Sequence, residues 1–170
     1  MRNVLILALL IAFPTAGCLA QSDVSSLKVK ENPLSVFDNL VGGKWSIDAT
    51  WSNGMPFRQE RQLCYDLDKN IVNEITWGTI DQESGEFGLR NRGVRTWNKS
   101  EGRLEFYEFD RFGGVTVGTI IVDGDDFTYE YAYQGDTYQD VFKKESQDRY
   151  SYSIVVGGQI ILSTYLNRVR

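Results

Sequence analysis

From residue 44 to residue 168 the chain runs in short stretches where apolar and polar side chains alternate. Nearly every stretch ends at a Gly or at a cluster of Asn, Asp and Ser. A period of two marks a strand with one covered face and one wet face. The pattern predicts strands over 44–52, 56–66, 71–80, 87–98, 103–110, 115–122, 127–133, 137–144, 150–155 and 159–168. Asn53-Gly54, Gly113-Gly114 and Gly157-Gly158 are among the turns between them. No connection is long enough for a helical crossover, which excludes a parallel sheet. Regular strands joined by tight turns make a meander, either closed as a barrel or folded as a sandwich. We read it as all-β, an antiparallel up-and-down barrel of about 8–10 strands.

The chain before residue 44 has a different pattern. Arg2 followed by the apolar run 4–13 is the layout of a signal peptide, and the run is too short to span a bilayer. Thr15-Ala16-Gly17-Cys18 is similar to a bacterial lipobox, in which Cys18 is lipidated and becomes the first residue. Ordinary cleavage after Ala20 is the rival. Residues 1–20 hold this signal segment, cut before Cys18 or after Ala20, and either route exports the protein, to the periplasm, to an outer-membrane lipid anchor, or outside the cell. Residues 21–32 read as a polar tether. Asn32 then caps a short N-terminal helix with Pro33 at its first position. Leu34, Phe37 and Leu40 share its apolar face, and Gly42 stops it. This helix is expected to plug one end of a barrel domain spanning 33–170.

Composition sharpens the picture in three places. Aromatics make up 13% of the 170 residues, and 16 Gly stand against 3 Pro, a mixture suited to strands and tight turns. The formal charge is −5, and the leader holds one cation, Arg2, and no acid, so the remainder is near −6. An acidic surface repels nucleic-acid phosphates, so no nucleic-acid partner is expected. The only cysteines are Cys18 and Cys64. With Cys18 lipidated or removed, Cys64 is read as a small buried side chain.

Gly43-Lys44-Trp45, after the short helix and at the start of the first strand, resembles the Gly-x-Trp signature of the lipocalins and the wider calycin group. The layout of 36–168 is similar to that of exported bacterial lipocalin-like domains of unknown function. The resemblance implies a calycin-like barrel in which an Arg near the last strand lies across Trp45 at the closed end. Arg168 is the matching position, with Arg170 second. It gives Gly43, Trp45 and Arg168 structural roles and places any pocket toward the other end.

Candidate chemistry is sparse. The chain contains no His, which removes the commonest general base and the commonest metal and haem ligand. No metal and no cofactor is expected. Asp123, Asp125 and Asp126 lack the spacing of a calcium loop and read as a turn. Glu60, Glu74, Glu105 and Glu108 lie on strands, where an acid–base pair would need two inward carboxylates with divergent pKa values. Arg90, Arg92 and Arg95 share a strand, and by alternation Arg90 and Arg92 take one face. They either pair with Glu on a wet outer face or form an inward pair for a carboxylate. A strict two-residue turn at Asn53-Gly54 turns Arg58, Glu60 and Gln62 inward, whereas one bulge reverses the strand and buries Phe57, Leu63 and Tyr65. Tyr129, Tyr131 and Tyr133 stand on one face, and Tyr150 and Tyr152 repeat the pattern.

These features predict non-covalent binding of a small, largely apolar ligand inside the barrel. The candidate contacts are Trp51, Arg58, Glu60, Trp77, Arg90, Arg92, Tyr129 and Tyr131. Contact with a membrane is expected only through a lipid on Cys18. The alternative is an envelope protein with a filled barrel that meets a protein partner by its surface. An enzyme using strand carboxylates or Tyr ranks third. A cavity above about 300 Å³, open at one end, separates the first reading from the second.

Overall fold

The computed structural model describes residues 32–170. The expected signal peptide, the expected tether to residue 31 and the expected lipidation of Cys18 lie outside the described residues. Ten strands form one closed antiparallel barrel: β1 (Lys44–Thr50), β2 (Pro56–Asp66), β3 (Ile71–Thr79), β4 (Phe87–Asn98), β5 (Arg103–Asp110), β6 (Val115–Asp123), β7 (Asp126–Tyr133), β8 (Asp136–Ser146), β9 (Arg149–Val156) and β10 (Gln159–Arg168). Each pairs with its neighbour in sequence, and β10 returns to β1. The alternation and the turn residues placed every strand to within about two residues at either end, as expected where both signals agree.

The helix before β1 is a single 3₁₀ segment, Pro33–Phe37. The Asn32 side chain accepts a hydrogen bond from the Leu34 backbone at 3.0 Å. Leu34, Phe37 and Leu40 are buried and close one end of the barrel. Phe37 meets the edge of Phe127 with ring centroids 5.3 Å apart. Trp45 is fully buried there, and its indole N–H donates to the Leu40 carbonyl at 3.0 Å. The Arg168 guanidinium carbon lies 4.5 Å from the centre of the Trp45 ring. Arg168 also donates to the Asn39 carbonyl and pairs with Asp148 at 3.2 Å. A side chain at position 43 would clash with the guanidinium, so Gly43 is what lets Arg168 reach the ring.

The seam between first and last strands is short. Only Trp45 with Arg168 and Ser46 with Asn167 pair across it, both at the plugged end. The loops at 51–55, 80–86, 111–114, 134–135 and 157–158 gather at the opposite end, which forms the mouth.

The 51–55 loop decides which face of β2 is buried. The Trp51 N–H donates to the Met55 carbonyl at 2.8 Å, and Thr50 pairs with Pro56. Ile47 therefore stands opposite Gln59, one residue away from the strict two-residue register. Phe57, Gln59, Arg61, Leu63 and Tyr65 face inward. The same shift turns Cys64 out to solvent, which corrects its expected burial.

Candidate functional site

Residues directly opposite each other in adjacent strands share a face, so the interior can be followed strand by strand. One row runs Tyr65, Val72, Arg95, Phe106, Gly118, Tyr131, Tyr138 and Val156, from the plugged end on β2 to the mouth on β9. A parallel row carries Leu63, Glu74, Gly93 and Glu108. The tilt of the strands brings charged side chains from β2, β3, β4 and β5 to mid-depth. The aromatics of β7, β8 and β9 stand across from them.

The centre of this arrangement is Arg95, which is fully buried. It pairs with Glu74 and, at 2.6 Å, with Glu108. Its Nε donates to the Tyr129 hydroxyl at 3.2 Å, and its guanidinium lies 5.0 Å from the centre of that ring. Gly93 makes room for it, because a side chain there would collide with Nη1 of Arg95. Arg61 sits 3.5 Å from Glu74, donates to Gln59 at 2.9 Å, and lies over Phe142 and Tyr152. Burial works against the charge on both arginines. The carboxylates around them, Glu74 foremost, nevertheless hold both above the usual guanidinium range. Burial pushes the hydroxyls of Tyr129, Tyr131 and Tyr152 upward, so all three stay protonated donors at neutral pH.

Toward the mouth, a cavity of about 60 Å³ is lined by Phe106, Glu108, Thr116, Tyr129, Tyr131 and Asp140. Both oxygens of Glu108 are engaged, one by Arg95 and the other by the Asn91 amide at 2.8 Å. Asp140 differs. It faces inward between Tyr129 and Ile154, and its Oδ1 is buried with no hydrogen-bond partner. Desolvation, reinforced by Glu108 and Glu74 against the pull of Arg61 and of the neighbouring Tyr152 hydroxyl, raises its carboxyl to about 6. The Asn91 Oδ1 is buried without a partner as well. A second mouth cavity, about 80 Å³, is lined by Trp51, Phe57, Arg58, Gln59, Thr79 and Arg90, among others. At the plugged end the space around Trp45, Leu63 and Phe142 is down to about 10 Å³.

The residues expected from the sequence divide between inside, rim and outside. Tyr129 and Tyr131 line the inner cavity, while Tyr133 is exposed at the rim. Trp51, Arg58 and Arg90 meet at the second cavity. Glu60, Trp77 and Arg92 lie on the outer surface. Glu60 pairs there with Lys44 at 2.5 Å, and the β2 register is the reason. Trp77 stands opposite Glu60 and Leu89. Arg92 stands opposite Ile75 and Phe109 and is exposed. A bulge separates the two arginines expected to share a face. Pairing passes from Thr76–Asn91 to Trp77–Leu89, which leaves Arg90 as the extra residue, and its guanidinium donates to the Thr79 carbonyl at 2.6 Å.

Arg61, Glu74, Arg95, Glu108 and Asp140 form the interior network, and sequence reasoning named none of them as ligand contacts. One signal was present for Arg95: a Gly two residues earlier on the same face leaves space for a large side chain.

No family model and no curated protein matches the chain. Among solved structures it is similar to the S-type phycobiliprotein lyase CPES from Guillardia theta. That match has a TM-score of 0.48 at 15% identity and covers 79% of this chain and 90% of that one.

Proposed function

We propose that this barrel is a binding protein that takes a small ligand, or one end of a larger one, through the mouth half of its interior. The observation that carries this reading is the buried Asp140 Oδ1, left without a partner on the wall of a cavity. A buried polar atom without a partner costs about 1–3 kcal/mol. Native interiors rarely leave one without a ligand or an ordered water. The available space narrows what can enter. The mouth cavities, at about 60 and 80 Å³, fall well below the ~300 Å³ set for a wholly enclosed apolar ligand. A short polar head with a tail leading out past Tyr131 fits this geometry better than a bulky apolar molecule. Export, with a lipid on Cys18 holding the barrel to a membrane surface, belongs to the same proposal; intact mass of the mature protein tests the lipid.

Native mass spectrometry of protein purified from its own host tests the binding reading. A bound small molecule that leaves on mild activation is expected. Mass equal to the bare chain in every charge state would contradict it.

A second reading has its own observation. On the outer faces of β5 and β6, Phe109, Val115 and Val117 are all more than half exposed, and Phe112 in the joining loop is 64% exposed. Phe109 pairs with Val115 and Tyr107 with Val117, so the patch is continuous. Continuous exposed apolar surface of this kind favours a protein partner.

A further inference from the structure

Resting on the small-ligand reading, we infer that the cavity beside Asp140 receives an organic ammonium group, the head of an aliphatic amine. The interior holds two guanidinium groups, Arg61 and Arg95, and three carboxyls, Glu74, Glu108 and Asp140. Arg95 pairs with Glu74 and Glu108 through Nη2, its Nη1 being buried without a partner, and Arg61 is held by Glu74 and Gln59. Asp140 makes no ion pair among the described residues; the Tyr152 hydroxyl neighbours its carboxyl, and its Oδ1 accepts no hydrogen bond. One negative charge is left over, and it lines the cavity. A monovalent cation there completes the pairing.

Phe106, Tyr129 and Tyr131 surround the same cavity. Phe106 and Tyr131 meet edge to face at 5.9 Å, and Phe106 and Tyr129 are tilted at 4.9 Å. Aromatic faces beside a carboxylate recognise an alkylammonium, which offers N–H donors to the oxygen and polarised methylenes to the rings. An anion would meet Glu108 as well as Asp140. A neutral alcohol would satisfy Oδ1 and leave the charge uncompensated. A volume of about 60 Å³ has room for roughly four or five water-sized groups, which suits an ammonium and a short chain.

Isothermal titration calorimetry with butylammonium, butanol and butyrate tests this, since the three probes share a chain and differ in head charge. Butylammonium is expected to bind, with the other two at least about tenfold weaker. Asp140→Asn keeps the shape of the side chain and removes the charge, and should weaken butylammonium by about tenfold or more. Tyr131→Leu, which leaves the carboxylate in place, should weaken it by about two- to fivefold through the lost ring face. Binding of butanol or butyrate as tight as butylammonium overturns the ammonium assignment while leaving small-ligand binding standing. So does butylammonium binding that ignores Asp140→Asn in a variant shown to be folded by its circular dichroism. If no probe binds, the ammonium assignment falls; the native mass measurement on host-purified protein then decides separately whether small-ligand binding falls with it.

Discussion

Asp140 is surrounded by titratable groups from every strand that faces it. These are Arg61 on β2, Glu74 on β3, Glu108 on β5, Tyr129 and Tyr131 on β7, and Tyr152 on β9. Its carboxyl is raised from the ordinary 3.8 to about 6, with desolvation as the leading cause. The sign follows from proton uptake. Between about pH 4 and pH 6 the folded protein holds this proton and the unfolded chain does not, so stability from this group falls as pH rises through the folded value. Above pH 6 the carboxylate is charged in both states, and its burial costs on the order of 2–3 kcal/mol. Asp140→Asn should therefore raise stability at pH 7.5 by up to ~2 kcal/mol and flatten the slope between pH 4 and 6 in urea melts. Arg95 should behave in the opposite way. Arg95→Ala strands Glu74 and Glu108 in the interior and should cost about 3–5 kcal/mol in the same melts. A loss under 1 kcal/mol would mean that the buried network contributes little.

Among the elements, the short seam of β1 and β10 depends on one contact more than on its ladder. Two residue pairs join the strands, and Arg168 over Trp45 spans them. Trp45→Ala removes a fully buried indole and should cost about 3–5 kcal/mol. Arg168→Ala should cost about 1–2 kcal/mol and speed amide hydrogen exchange in β1 and β10 ahead of β5 and β6. Uniform acceleration around the barrel would contradict a latch at this seam. This part of the fold was legible in advance through the resemblance carried by Gly43-Lys44-Trp45, which implied an Arg near the last strand across Trp45. The face of β2 was not. Whether Arg58 or Arg61 points inward turned on a one-residue difference in the 51–55 loop, and both registers leave a credible buried set. The bulge at Arg90 hid the division of β4 in the same way. Glu74 and Arg95 were singled out but not placed in the interior, and Arg61 was not singled out, because charged residues on a strand read as its wet face. What keeps them inside is pairing between side chains of four consecutive strands, which alternation along any one strand does not reveal.

Among the described residues, the barrel is filled by aromatic and charged side chains, with cavities at its mouth. The ten strands and their order were readable from turns and alternation, whereas the filling depended on side-chain volumes meeting across the barrel. The outer face of β5 and β6 is separate from that interior. Phe109→Ser with Val117→Lys exchanges exposed side chains and should change stability by no more than about 0.5 kcal/mol per site. If this face meets a partner or a second copy, light scattering at increasing concentration, or with that partner, should show association lost in the double variant. Unchanged association would place the contact elsewhere.

The ligand-binding account rests on a free carboxylate inside the mouth, and carboxyl-observed NMR titration of Asp140 measures it directly. A midpoint near 6 is expected in the free protein, falling when butylammonium is added, because a bound cation favours the charged form. An Asp140 midpoint near the ordinary aspartate value, unmoved by the amine, would contradict it.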